Sequence, residues 1–145
     1  MCLRKLKILL ADDSPNVREM IETALRAKGY AVNGVADGAE ALQRVTEAGQ
    51  SEHSYDVVLL DYAMPGMDGL TCALKIREQQ PEDKPEVKLG FFTGHDDLAL
   101  PKSVLESLHA RAWSKLNVVE MINDIGEWVD PAARQPAVAA GCAPA

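Results

Sequence analysis

Three short stretches, LKILLAD (residues 6–12), DVVLLD (56–61) and VKLGFFT (87–93), are apolar at most positions instead of every second one. A strand with one wet face alternates apolar and polar residues, so strands of this kind must be covered on both faces. The covers are visible between them. In SPNVREMIETALRAKG, Val17, Met20, Ile21, Ala24 and Leu25 form one helical stripe. Ser14 is placed to cap that helix, Pro15 to open it and Gly29 to stop it. In DGAEALQRVTEAG, Asp37 and Glu40 have capping-box spacing, with Leu42 and Val45 facing inward. Asp68 can cap a third helix carrying Leu70, Ala73 and Leu74. Pro101 forbids helix running through it, which predicts a helix beginning near Pro101 with Val104, Leu105 and Leu108 inward. Asn117 caps a last helix whose Val118, Met121, Ile122, Ile125 and Val129 share a face. YAVNGVA (30–36) and ARAWSK (110–115) supply two further strands. Five strands alternating with five helices predict an α/β domain built on a parallel sheet with helices on both faces.

The chain of 145 residues, 47% hydrophobic, is enough for one such domain, expected over residues 5–129. The segment DPAARQPAVAAGCAPA (130–145) is rich in Ala and Pro and is expected to be a disordered tail; it is too short for an output domain, so a stand-alone module is expected. A net charge of −7 without a Lys/Arg cluster argues against a nucleic-acid partner. No run of eighteen apolar residues marks a membrane span, and the basic-then-apolar start breaks on Asp12 and Asp13 too early for a signal peptide. Cys2, Cys72 and Cys142 are few, odd in number and far apart, which predicts reduced thiols in a cytoplasmic protein.

In open parallel sheets the ligand site lies outside the carboxyl ends of the strands. Those ends carry Asp12 and Asp13, Asp61, Thr93 and Lys115. Three carboxylates brought together repel one another and invite a hard divalent cation; Mg²⁺ suits a few carboxylate oxygens and several waters. A carboxylate beside such a cation can attack phosphorus and form an aspartyl phosphate. A hydroxyl and a lysine around the transferred group supply the electrostatic stabilisation that phosphoryl transfer chiefly needs.

The motifs LLADDSP, VVLLDYAMPGMDG, FFTGHDD and AWSKL, in that order and each at a strand end, resemble the receiver domain of two-component response regulators over roughly residues 5 to 129. The resemblance implies a flavodoxin-like, doubly wound five-stranded sheet of order 2-1-3-4-5 with five helices, in a stand-alone, chemotaxis-regulator-like protein. It implies Asp61 as phosphoacceptor and Asp12 and Asp13 as the acidic pair for Mg²⁺, Asp13 being the more direct ligand. The backbone carbonyl of Ala63 completes the metal set, Thr93 is the hydroxyl that approaches the phosphoryl group, and Lys115 pairs with it. The implied partners are a sensor histidine kinase or histidine phosphotransfer protein and a downstream protein target, with the chain a monomer or weak dimer that catalyses its own slow dephosphorylation.

The chain departs from the family pattern at two positions. Leu116 follows Lys115 where the family usually has a cis-linked proline, and a non-proline cis bond costs about 2.5 to 4 kcal/mol, which predicts a trans bond there. Ala112 stands where the family commonly has an aromatic switch residue, and Trp113, one step along the strand, is expected on the opposite face. Two other classes compete: a pseudo-receiver interaction module, and an Asp-nucleophile phosphatase of the haloacid-dehalogenase type. The second wants an acid two residues after the nucleophile, where this chain has Ala63.

Overall fold

The computed structural model describes residues 6–49, 55–62, 64, 66–79, 87–93, 101–114 and 117–129. Strands and helices alternate as β1 (Lys7–Ala11), α1 (Pro15–Ala27), β2 (Ala31–Val35), α2 (Gly38–Gly49), β3 (Val57–Asp61), α3 (Gly69–Gln79), β4 (Lys88–Thr93), α4 (Lys102–Leu108), β5 (Ala110–Ser114) and α5 (Val118–Val129). The strands form one parallel sheet of order β2-β1-β3-β4-β5. The predicted fold class and strand order are therefore those observed.

The doubled apolar character of the central strands is explained by two cores, one on each face. Leu9 and Ala11 of β1, Val58 and Leu60 of β3, and Leu89 and Phe91 of β4 point into the first, against α2, α3 and α4. Ile8 and Leu10, Val57 and Leu59, and Phe92 point into the second, against α1 and α5. Full burial of such a side chain contributes about 1.5 to 3 kcal/mol, so the four apolar residues of β3 form a rigid centre. Ile21 and Leu25 of α1 and Met121, Ile122 and Ile125 of α5 close the second core.

The caps expected at Ser14, Asp37 and Asp68 are formed. Ser14 Oγ accepts from Val17 N at 3.5 Å, Asp37 Oδ1 from Glu40 N at 2.8 Å and Asp68 Oδ1 from Thr71 N at 2.7 Å. Glu40 reaches back to the N–H of Ala36, one residue before its cap. Pro101 precedes α4, whose Leu108 is buried and whose Val104 and Leu105 pack on the first core.

Two inward assignments fail. Met20 is 50% exposed and Leu74 46% exposed. On α1 the sheet covers Ile21 and Leu25, and Met20 lies about 100° around the helix from Ile21, beyond that contact. On α3 the buried face runs through Gly69, Cys72, Ala73 and Ile76, which leaves Leu74 one step too far round.

Trp113 does turn away from the face shared by Ala110 and Ala112. Its ring lies over Gly90, where a Cβ would fall 2.7 Å from Trp113 Cζ3. Its Nε1 donates to Asp124 Oδ2 of α5 at 2.9 Å, and its ring meets Trp128 edge-on at 5.9 Å between centroids. Trp113 thus fastens β5 to α5, a packing role.

At the end of α4, His109 adopts φ 53° and ψ 44°, the left-handed region that costs residues with a Cβ. Arg77 of α3 binds the preceding Leu108 carbonyl through Nε and Nη2, and the Val87 carbonyl through Nη1, so this turn is held in place. His109→Gly is expected to raise stability by about 0.5 to 1 kcal/mol, read as a higher urea midpoint; the gain is smaller than the full left-handed cost because glycine also loosens the unfolded chain.

Candidate functional site

The topology itself builds the site. From β1 the chain crosses outward to β2, then returns to β3 on the other side, so β1 and β3 are neighbours whose connections leave in opposite directions. A crevice opens at the carboxyl ends of such a pair. Ala11 and Leu60 are register partners. One residue further along each strand come Asp12 and Asp61, with Asp13 next. Oxygens of these three carboxylates lie within 4.8 Å of one another.

The three differ in exposure. Asp12 is fully buried, Asp61 is 3% exposed and Asp13 faces solvent. Asp12 and Asp61 are the buried charged side chains among the described residues. Carboxylates this close repel one another, most strongly between the buried Asp12 and Asp61, where solvent screens least. Three hard oxygen donors, one of them open to water, fit a cation of the Mg²⁺ type, which keeps much of its hydration when bound.

The surrounding backbone is tied at several points. Asp12 N–H donates to Val35 O at 3.1 Å, and Asp12 Oδ1 accepts from Ser14 N at 2.8 Å. Tyr62 N–H, immediately after Asp61, donates to Phe92 O at 3.2 Å, while Gly69 N–H donates to Tyr62 O at 2.9 Å. Gly66 has φ 80°, which favours glycine in the turn, whereas Gly69 is needed for space: a Cβ there would fall 2.5 Å from Asp61 O. The close approach of α3 to the Asp61 backbone at Gly69 is visible only in three dimensions.

Of the other predicted site residues, Thr93 ends β4 in register with Ser114, and its side chain lies outside the described residues. Ala63, Lys115 and Leu116, with the peptide bond expected to be trans, lie outside them as well. The geometry therefore brings together Asp12, Asp13 and Asp61.

Beside the site, Cys72 is fully buried and its Sγ donates to Gly38 O at 3.4 Å. Burial first, then the nearby Asp37 and Asp68 carboxylates, push the thiol from 9.0 up to about 12. It is neutral and unreactive near pH 8, so peptide mapping after brief iodoacetamide treatment should find Cys72 unmodified until denaturant is added. The thiol keeps its proton longer folded than unfolded. Its contribution to stability is thus complete below pH 9.0 and is lost as pH rises toward 12. Cys72→Ala should flatten the fall in denaturation midpoint across that window.

A family model described as the response regulator receiver domain matches residues 8–117. The response regulator receiver protein CpdR of Brucella abortus is 31% identical over 120 residues, covering 82% of this chain and 92% of that protein. The DNA-binding response regulator MtrA of Mycolicibacterium smegmatis is 31% identical over 118 residues, covering 72% of this chain and 50% of MtrA. The chain spans about half the length of several curated relatives it matches, MtrA among them. Among solved structures, the response regulator TrrA of Thermotoga maritima in complex with Mg²⁺-BeF superposes with a TM-score of 0.68 at 27% identity, covering 84% of this chain and 97% of that one. The receiver domain of the sensor histidine kinase PA1611 from Pseudomonas aeruginosa, with a magnesium ion in its active-site cleft, gives 0.70 at 26% identity, covering 87% and 98%.

Proposed function

Because the chain belongs to the response regulator receiver domain family, we propose that it accepts a phosphoryl group on Asp61 and signals through the conformational change that follows. The observation that carries this reading is Asp61 itself, a carboxylate 3% exposed at the end of an apolar strand, with Asp12 and Asp13 close beside it. A structural role does not explain that placement, since burying Asp12 and Asp61 side by side, with Asp13 close to both, opposes folding.

Asp12, Asp13, Asp61 and the Ala63 carbonyl would hold Mg²⁺, which when bound offsets the negative charge of the carboxylates and of the phosphoryl oxygens. An Asp61 oxygen attacks phosphorus in line with the leaving group. The O–P bond forms as the donor's N–P bond to imidazole breaks, and the imidazole nitrogen leaves with the electron pair and is protonated. Thr93 donates its hydroxyl to the new phosphoryl group and Lys115 pairs with its charge. In autodephosphorylation, water attacks phosphorus and the O–P bond to Asp61 breaks, restoring the carboxylate and releasing phosphate. The rigid β1–β3 pair holds the acceptor against its neighbours, so positioning and electrostatics carry the reaction.

The unit spans residues 5–129 and acts in the cytoplasm. It takes its phosphoryl group from a histidine kinase or a histidine phosphotransfer protein and passes the signal by protein contact. The match covering 92% of CpdR supports a receiver acting without an output domain. Incubation with acetyl phosphate and Mg²⁺ tests the chemistry: intact-mass spectrometry should show one added phosphoryl group, removed by omitting the metal. An unmodified mass under those conditions would sink the reading in favour of a pseudo-receiver, and sustained release of phosphate from many monoesters would favour a phosphatase.

A further inference from the structure

Arg18 ends the first turn of α1, and its Nη1 donates to the main-chain carbonyl of Asp12 at 2.6 Å. With Val35 O on the Asp12 N–H and Ser14 N on Oδ1, three groups of this buried residue are held from β2, from the α1 cap and from α1 itself. The room for the arginine comes from β2. A Cβ on Gly34 would fall 3.0 Å from Arg18 Cδ and 2.6 Å from Glu22 Oε1. Both are outer parts of flexible side chains, so a methyl group there would push them aside while leaving the sheet paired.

We infer that Arg18, seated over Gly34, is a positioning residue that holds Asp12 in the orientation a divalent cation requires, acting through the Asp12 main chain. The inference rests on the proposed function, since it concerns the same cation. Two effects of the guanidinium oppose each other. Its charge repels a cation, whereas its hydrogen bond, strengthened by that charge, fixes a ligand residue. Arg18 is partly exposed, so solvent and salt screen the repulsion. Loss of the partner that orients a metal ligand typically weakens metal binding by about ten- to a hundredfold. Positioning outweighs repulsion, and removal of a positive charge here is expected to weaken cation binding.

Calorimetric titration of Mg²⁺ into the full chain at constant ionic strength, with thermal melts alongside, separates the possibilities. Arg18→Ala should raise the dissociation constant about tenfold. Arg18→Lys should recover part of the loss, and Gly34→Ala should fall between wild type and Arg18→Ala because it crowds Arg18 along with Glu22 while keeping the positive charge. If Arg18→Ala fails to fold, the lysine and Gly34 variants decide the matter by the same readout. Affinity that is unchanged, or tighter in Arg18→Ala through relief of repulsion, overturns the inference while leaving the functional reading intact. Wild type that binds no Mg²⁺ overturns the functional reading, and the inference with it.

Discussion

Asp61→Asn is expected to take up no phosphoryl group from acetyl phosphate and Mg²⁺, under conditions in which wild type is fully labelled. The amide has no nucleophilic oxygen anion, so the loss is one of chemistry. Asp61 also belongs to the carboxylate cluster, and the substitution removes a cation ligand at the same time. Asp13→Asn separates the two effects. It keeps the acceptor but removes the solvent-facing carboxylate of the cluster, and labelling should slow by about a hundredfold without being abolished. Both variants should retain wild-type circular dichroism, because each swaps near-isosteric groups and relieves repulsion among close carboxylates. Asp61→Asn that labels at the wild-type rate would place the acceptor elsewhere in the chain. Equal loss in the two variants would mean that cation binding, and not the nucleophile, limits the reaction.

Gly69→Ala should combine a stability loss with slower phosphorylation, although alanine is the better helix former. Propensity favours alanine by about 1 kcal/mol in a helix interior. Against it stands a Cβ only 2.5 Å from Asp61 O and 3.1 Å from Tyr62 Cα. Both are main-chain atoms that cannot rotate away, so the start of α3 or the end of β3 must move. Overpacking of this sort costs about 1 to 3 kcal/mol, and the rigid target puts the cost at the upper end. The net expectation is a loss of about 2 kcal/mol, or roughly 8 °C in melting temperature for a domain of this size. The displaced backbone carries the acceptor, so acetyl-phosphate labelling should slow by about ten- to a hundredfold. Gly66→Ala is the matched control: its φ of 80° strains a side chain, but nothing lies within 4 Å of the added Cβ. It should lose about 1 kcal/mol with little change in labelling. Labelling of Gly69→Ala at the wild-type rate would show that the α3 contact does not position Asp61.

The fold was legible because burial on two faces leaves an unmistakable pattern. VVLL in β3 has no polar position, and each of its residues is buried against one helical layer or the other. Helix starts were equally legible at Ser14, Asp37 and Asp68, since a cap is a local interaction between residues three apart. Errors arose where a stripe is wider than its cover. Met20 and Leu74 have the right spacing, but the neighbouring elements stop short of them. Alternation alone fixes the face of Trp113, whereas its bond to Asp124 and contact with Trp128 depend on how α5 crosses the sheet.

The sequence by itself determined the strands, their order by family resemblance, and the acids at their ends. The strands and the acids that end them follow from short-range periodicity, where each residue's partner is set by its own spacing, whereas the order rests on the resemblance. What the tertiary structure decided is how the acids are held. Arg18 reaches the Asp12 carbonyl because Gly34 on another strand leaves room, and Gly69 lets α3 press against the Asp61 backbone. Neither relation has a signature along the chain. Each depends on the angle at which a helix crosses the sheet, and that angle is set by packing over the whole core.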